Sequence, residues 1–159
     1  MDTLKITSEQ FDCNGWISDC CSGYGDNISP DIIIEGLPEG TISLAILMDD
    51  LDHPIFNEFN HWIAWNIPCV NEIPKGIEKG AITESPIYAE QGIGYGRHEY
   101  NGPKPPFNGN HRYRIGVYDI DKKLTLKGNA RKKSLLQVIE GHTLAYGELI
   151  SSYQRKRKQ

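Results

Sequence analysis

The chain has no CxxC pair and none of the paired cysteine or histidine spacings of a structural zinc site; its cysteines are Cys13, Cys20, Cys21 and Cys69. No metal is therefore expected. No apolar run approaches the roughly 18 residues that a membrane-spanning helix needs, so no transmembrane segment is expected. The opening MDTLKITSEQFDCNGW lacks a basic leader, an apolar core and a small-residue cleavage site, which makes the cytoplasm the expected compartment. In a reducing compartment the four thiols read as free. Adjacent Cys20 and Cys21 do not readily pair with each other, and a bridge from Cys13 to Cys20 or Cys21 stays open for an exported protein. Internal repeats, low-complexity tracts and linkers are also missing, so 1–159 reads as a single domain. A G-x-S-x-G nucleophile elbow is absent too, and no cofactor is expected.

Positive charge is scarce over the body. The formal net charge is -4, and Arg155, Lys156, Arg157 and Lys158 hold four of the 17 basic residues, leaving 13 against 21 acidic residues, or -8. Such a body excludes a nucleic-acid footprint. The basic tail, 154–159, reads as a solvated, disordered end. What remains is ordinary for a globular domain, with 38% hydrophobic and 24% charged residues. At this length a chain buries roughly two thirds of its unfolded surface.

Strand signals dominate the first three quarters. LKITSEQF (4–11) alternates weakly, and 12–30 is a polar stretch read as a long loop. DIIIEG (31–36) is β-branched and short. ISLAILMDD (42–50) is almost continuously apolar, as suits a strand covered on both faces. HWIAWNIP (61–68) and RYRIGVYDI (112–120) alternate, the latter placing Tyr113, Ile115, Val117 and Asp119 on one face. Only the end looks helical: ARKKSLLQVIEG carries apolar residues at 135, 136, 138 and 139 before a glycine, and TLAYGELISSYQRK follows with 144, 145, 149 and 153. The expected fold is mainly β with one or two C-terminal helices.

Three stretches carry candidate chemistry. MDDLDHP (48–54) ends a buried strand in closely spaced acids, which are either exposed or partnered, because desolvating an unpaired carboxylate costs several kcal/mol. FNHWIAW (59–65) opens a strand with His61. NGPKPPFNGNHRY (101–113) sets Pro105 and Pro106, whose fixed φ and missing donors make a rigid wall, ahead of His111 and Tyr113 on one strand face. His53 stands beside the acids as a candidate for a pocket mouth. His98 and His142 read as exposed.

SLAILMDDLDHP, FNHWIAWNIP and YNGPKPPFNGNHRY, in this order and spacing, resemble the conserved blocks of the phosphatidylethanolamine-binding protein family, in its bacterial and archaeal, Raf-kinase-inhibitor-like branch. DNISPDIIIEGLPEGTISL and the terminal LLQVIEGHTLAYGELISSYQR extend the resemblance over most of the chain. It implies a central antiparallel β-sheet packed on a smaller sheet, and a cavity at one end of the large sheet that accepts phosphate-type anions and phospholipid head groups. By matching position, the resemblance assigns that cavity to Asp50, Asp52, His61, Pro105, Pro106, His111 and Tyr113. Two imidazoles and a phenol offer hydrogen-bond donors, and a carboxylate near an imidazole favours its charged form. Asp50 fits as an orienter of histidine and an acceptor for an ammonium group rather than a phosphate contact.

The expected function is binding of a small anionic or zwitterionic ligand, with regulation of a protein partner such as a kinase or protease and a homodimer as further implications of the resemblance. The alternative is an enzyme using Asp50 with His61 or His111 as an acid/base pair. The chain departs from the family at Ile34, Leu51, His53 and Gln91–Gly96, which bears on the rim. Tyr153 is not carried over.

Overall fold

Three long strands with apolar residues on both faces organise the molecule, whose computed structural model describes residues 2–155. In chain order the strands are β1 (Asp2–Thr3), β2 (Lys5–Thr7), β3 (Ile32–Glu35), β4 (Ser43–His53), β5 (Asn57–Pro68), β6 (Glu72–Ile73), β7 (Ile82–Thr83), β8 (Ala89–Gln91), β9 (Asn110–Ile120) and β10 (Thr143–Gln154). The helix α1 (Lys132–Ile139) lies between β9 and β10. The large sheet runs β1-β10-β9-β4-β5-β8-β7, and the small one β2-β3-β6. Only the β1–β10 pairing is parallel among these strands.

Central β4 has apolar side chains on both faces because both are covered. Leu44, Ile46 and Met48 pack with Ile32 and Ile34 of the small sheet, and with Trp62 and Val117, in the main core. Ala45 and Leu47 face the other way, joining Ile63, Trp65, Leu135 and Ile139 in a second core under α1. Each such large apolar side chain removed from water contributes about 1.5–3 kcal/mol. Trp62 is fully buried, and its indole N–H donates to Gln91 Oε1 at 2.8 Å. The Gln91 amide in turn donates to the carbonyls of Glu78 and Gly80, so this buried polar chain is satisfied.

The α1 reading holds, with Gly141 at φ +80° just beyond the C-cap Glu140. The second helical reading, over TLAYGELISSYQRK, is overturned: this segment is β10, paired with β9 from Thr143 to Gln154. The inward set is Ala145, Gly147, Leu149, Ser151 and Tyr153. Two of those five positions are not apolar, which hides the alternation, while 144, 145, 149 and 153 happen to fit a helical stripe. Gly147 is required by close approach, since a Cβ there would lie 2.4 Å from the Leu4 carbonyl oxygen. Short β6, β7 and β8 were too brief to be legible. The 12–30 stretch contains a 3₁₀ turn at Asp19–Cys21 and a bridge from Trp16 to Ser152. Of the basic tail, Gln154 closes β10 and the Arg155 guanidinium lies 4.5 Å from the Tyr24 ring centroid; residues 156–159 lie outside the described residues.

Asp119 is fully buried and its Oδ2 is 2.8 Å from Thr41 Oγ1, which also donates to the Pro38 carbonyl at 2.8 Å. The one Thr41 hydrogen is shared between these two acceptors, and Asp119 Oδ1 has no hydrogen-bond partner among the described residues. Burial pushes its carboxyl above the ordinary carboxylate range, against the pull of the Thr41 hydrogen bond. With the folded pKa raised, the neutral acid's contribution is fully present below the unfolded value and is lost as pH rises through the folded one. Asp119→Asn, a permanently neutral donor, should therefore flatten this loss. Urea midpoints should show the variant equal to or above wild type at pH 8, by on the order of 1 kcal/mol, with the advantage vanishing below the unfolded pKa.

Candidate functional site

Three of the four long strands converge at one end of the large sheet, where β4 ends in its acids, β5 begins and β9 begins. Asp50 follows the alternation of Leu44, Ile46 and Met48, and Tyr113 that of Ile115 and Val117, so both belong to the main-core face and are paired across β4 and β9. His61 would belong to the opposite face, with Ile63 and Trp65, if β5 were regular. The register breaks there: Met48 pairs with Trp62 but Asp49 pairs with Asn60, leaving His61 as the extra residue of a β-bulge. The bulge re-aims the imidazole to the face of Asp50 and Tyr113. Its ring stands 5.4 Å from that of Tyr113, edge to face. Asn60 satisfies the disturbed backbone, its amide donating to the carbonyls of Met48 and Trp62.

Opposite these strands stands the proline loop. Gly23 N–H donates to Pro103 O at 2.7 Å, Tyr24 O–H to Pro105 O at 2.6 Å, and Gly102 N–H to Asn27 Oδ1 at 2.7 Å. The wall's carbonyls, unable to join a ladder, are thus held by the N-terminal loop. Gly102 permits the approach, since a Cβ would lie 2.1 Å from the Cys21 carbonyl oxygen. Between wall and strands lies a cavity of about 620 Å³.

Asp50, His61, Pro105, Pro106, His111 and Tyr113 line this cavity, and Asp52 does not. Asp52 instead accepts from Arg112 through Nε, NH2 and the backbone N–H, at 2.8–2.9 Å, and that guanidinium holds its carboxyl below the usual carboxylate range. Its place is a clamp between the end of β4 and the start of β9. His53 does line the mouth, with Tyr95, Arg97, Asn101 and Lys104, which the sequence reading had not assigned. The glycine-rich QGIGYG stretch was the available signal for Tyr95: a Cβ at Gly94 would lie 2.9 Å from Trp62 N and 3.0 Å from His61 C, so the loop presses on the bulge itself.

Each polar group has a defined state. His111 Nδ1 and Asp50 Oδ2 are 2.8 Å apart, while Asp50 Oδ1 accepts the Asp52 N–H at 2.9 Å. Asp50 thus orients the His111 ring, and both its oxygens already have partners, which weakens its expected role as acceptor for an ammonium. His61 Nδ1 lies 2.8 Å from the Asn101 carbonyl oxygen, which can only accept, so Nδ1 carries the proton. Burial lowers the His61 pKa despite the opposing pull of Asn101, Asp50 and Asp49, so this imidazole is neutral at pH 7. Burial pushes the Tyr113 phenol well up, and it stays protonated. At the mouth, His53 Nδ1 accepts the N–H groups of Ile55 and Phe56 at 3.2 Å, which leaves Nε2 as the protonated nitrogen of the neutral ring.

His98 and His142 are half-buried, hydrogen-bonded to Gln91 O and Asp121 Oδ1. Tyr153 is buried beside Asp19 and Tyr24, outside the cavity lining. No disulfide joins any of the four cysteines, and no group of three or more His, Cys, Asp or Glu among the described residues could hold a metal ion. No helix among them is long and apolar enough to cross a membrane.

The large sheet of this two-sheet β protein thus ends in a preformed polar cavity. The family profile described as phosphatidylethanolamine-binding protein matches residues 7–154. A UPF0098 protein of Pyrococcus horikoshii is 45% identical over 156 residues, covering 97% of this chain and 78% of that one. Another from Methanothermobacter thermautotrophicus is 33% identical, covering 96% and 99%. Among solved structures, a phosphatidylethanolamine-binding protein homologue from Chlamydia trachomatis superposes with a TM-score of 0.85 at 28% identity, covering 98% of this chain and 100% of that one. YbcL of Escherichia coli gives 0.82 at 26% identity, covering 96% and 99%. The chain belongs to the phosphatidylethanolamine-binding protein family.

Nitrogen NMR of the imidazoles should find His61 in its Nδ1–H form and titrating below the ordinary 6.5. An Nε2–H tautomer, or a midpoint at or above that value, would contradict the bulge geometry.

Proposed function

We propose that the protein is a non-enzymatic binding module whose cavity takes a small anionic or zwitterionic ligand, a phosphate-type group or a phospholipid head group. The observation that carries this reading is the Asp50–His111 contact at 2.8 Å, which fixes the imidazole so that its Nε2 is left for a ligand. Arg97 and Lys104 at the mouth add positive charge, and the Tyr113 hydroxyl adds a donor. Several charge-assisted hydrogen bonds of about 1.5–3 kcal/mol each are then available to an oxyanion.

The acid/base alternative draws on the same Asp50–His111 pair. Against turnover stands the lining itself, which includes no serine, threonine or cysteine to act as a nucleophile. Cys21 lies behind the wall, and burial pushes its thiol up, away from the reactive thiolate. Regulation of a protein partner would use the rim, where Ile55, Phe56 and Phe107 are 76%, 60% and 85% exposed beside lining residues. A cytoplasmic location accords with the four free thiols.

Calorimetric titration of inorganic phosphate and phosphoethanolamine tests the reading. His111→Ala should weaken binding about 10- to 100-fold, the loss of one charge-assisted contact. Gly109→Ala, whose methyl would lie 3.6 Å from His111 Nε2 and 3.2 Å from the Pro106 carbonyl oxygen, should weaken binding as well. Turnover of a phosphate or carboxylic ester panel by wild type, abolished in His111→Ala, would overturn the binding-module reading.

A further inference from the structure

Taking the cavity as an anion site, its hydrogen-bonding inventory is asymmetric. Tyr113 O–H, His53 Nε2–H, Arg97 and Lys104 are donors, suited to phosphate oxygens, and His111 Nε2, its Nδ1 held by Asp50, is open to either role. His61 is different. Its Nδ1–H is committed to the Asn101 carbonyl, and its ring is 5% exposed. Nε2 has no partner among the described residues, so it presents a lone pair to the cavity it lines.

The groups facing His61 are Asp50 and His53 from β4, Tyr113 from β9, Phe59 from its own strand and Tyr95 from the loop before the wall, while Asp49 acts on it from the opposite face of the sheet. Desolvation outweighs the two carboxylates, and the ring stays neutral. A fully deprotonated oxyanion against Nε2 would set lone pair against lone pair. An ammonium in the same place would have to share Asp50, whose oxygens already bond to His111 and to the Asp52 N–H.

We propose that this cavity selects a phosphate group in its singly protonated form, the monoanion of inorganic phosphate or of a phosphomonoester, whose P–OH donates to His61 Nε2 while its remaining oxygens accept from the donors around it. A phosphodiester, as in a phospholipid head group, has no P–OH, and sulfate carries no proton near neutral pH. A buried site built around a hydrogen bond rejects analogues that lack the matching group, because its own polar atom is then left unpaired.

Calorimetry at pH 6.5 and 8.5 with inorganic phosphate, phosphoethanolamine, sulfate and the diester glycerophosphoethanolamine tests this, together with phosphorus NMR of bound phosphoethanolamine. The two phosphate species should bind at least about 30-fold more tightly than sulfate or the diester. Above the second phosphate pKa, about 6 for a phosphomonoester and higher for inorganic phosphate, affinity should fall by roughly tenfold per pH unit. The bound phosphorus resonance should keep its monoanion position at pH values where the free ligand has become a dianion. His61→Gln, whose amide can rotate to donate, should narrow the gap between phosphate and sulfate. Sulfate or diester binding as tight as phosphate, or a bound phosphorus that titrates with the free ligand, would overturn the protonation requirement while leaving anion binding intact. Failure of all four probes to bind would sink both readings.

Discussion

Because side chains alternate along a strand, a regular β5 would send His61 to the helix-covered face with Ile63 and Trp65, away from everything else at the site. The extra residue at this point, between the Met48–Trp62 and Asp49–Asn60 pairs, reverses that. Its consequences reach in several directions. The imidazole is buried and kept neutral, the Asn60 amide is recruited to the bulge carbonyls, and Gly94 is obliged to lack a side chain so that its loop can press on the distorted backbone. That same loop leads to Asn101, whose carbonyl chooses the His61 tautomer and whose amide binds the His61 and Gly94 carbonyls. Bulge, loop and tautomer are thus one mutually supporting arrangement.

The three acids of MDDLDHP show how the pleat distributes charge from one short run of sequence. Asp49 falls on the helix face, 1% exposed, and is matched by Arg114 and Lys132, tying the start of α1 to the sheet. Asp50, next in the chain, falls on the cavity face and takes His111. Asp52, within the register break between Asp50 and His53, reaches Arg112. Each carboxylate is compensated by a cation or imidazole on a neighbouring strand or helix, as burial of charge demands. The pairs also hold β9 and α1 in position relative to β4, so the site and the scaffold share their electrostatics.

This explains what was legible in the sequence and what was not. The requirement that the acids be exposed or partnered followed from the apolar run before them, and the rigidity of the wall from Pro105 and Pro106. Asp50, His61, His111 and Tyr113 could be brought together only through the family blocks, because a bulge leaves no mark in the alternation pattern of HWIAWNIP. Asp52 was placed in the cavity by the same route, and the adjacent Arg112, which captures it, was the overlooked signal. The β10 segment misled for a different reason: Gly147 and Ser151 face inward, Gly147 to let Leu4 pass, so the core-facing row is not apolar enough to announce a strand. Tyr95, Arg97, Asn101 and Lys104 sit on loops, where side-chain direction is not set by any period.

The imidazoles that line the cavity are each held by a group behind them, and the stiff wall fixes the opposite side. Prolines limit the unfolded and alternative conformations of the loop, and hydrogen bonds from Gly23, Tyr24 and Asn27 pin what remains. On the strand side, Asp50 orients His111 and Asn101 orients His61, each within 2.8 Å. One imidazole is therefore backed by a carboxylate and the other by a neutral carbonyl, and the two rings cannot be equivalent toward an anion. What stands behind each ring differs in charge, and that difference, not the imidazole itself, separates the two positions.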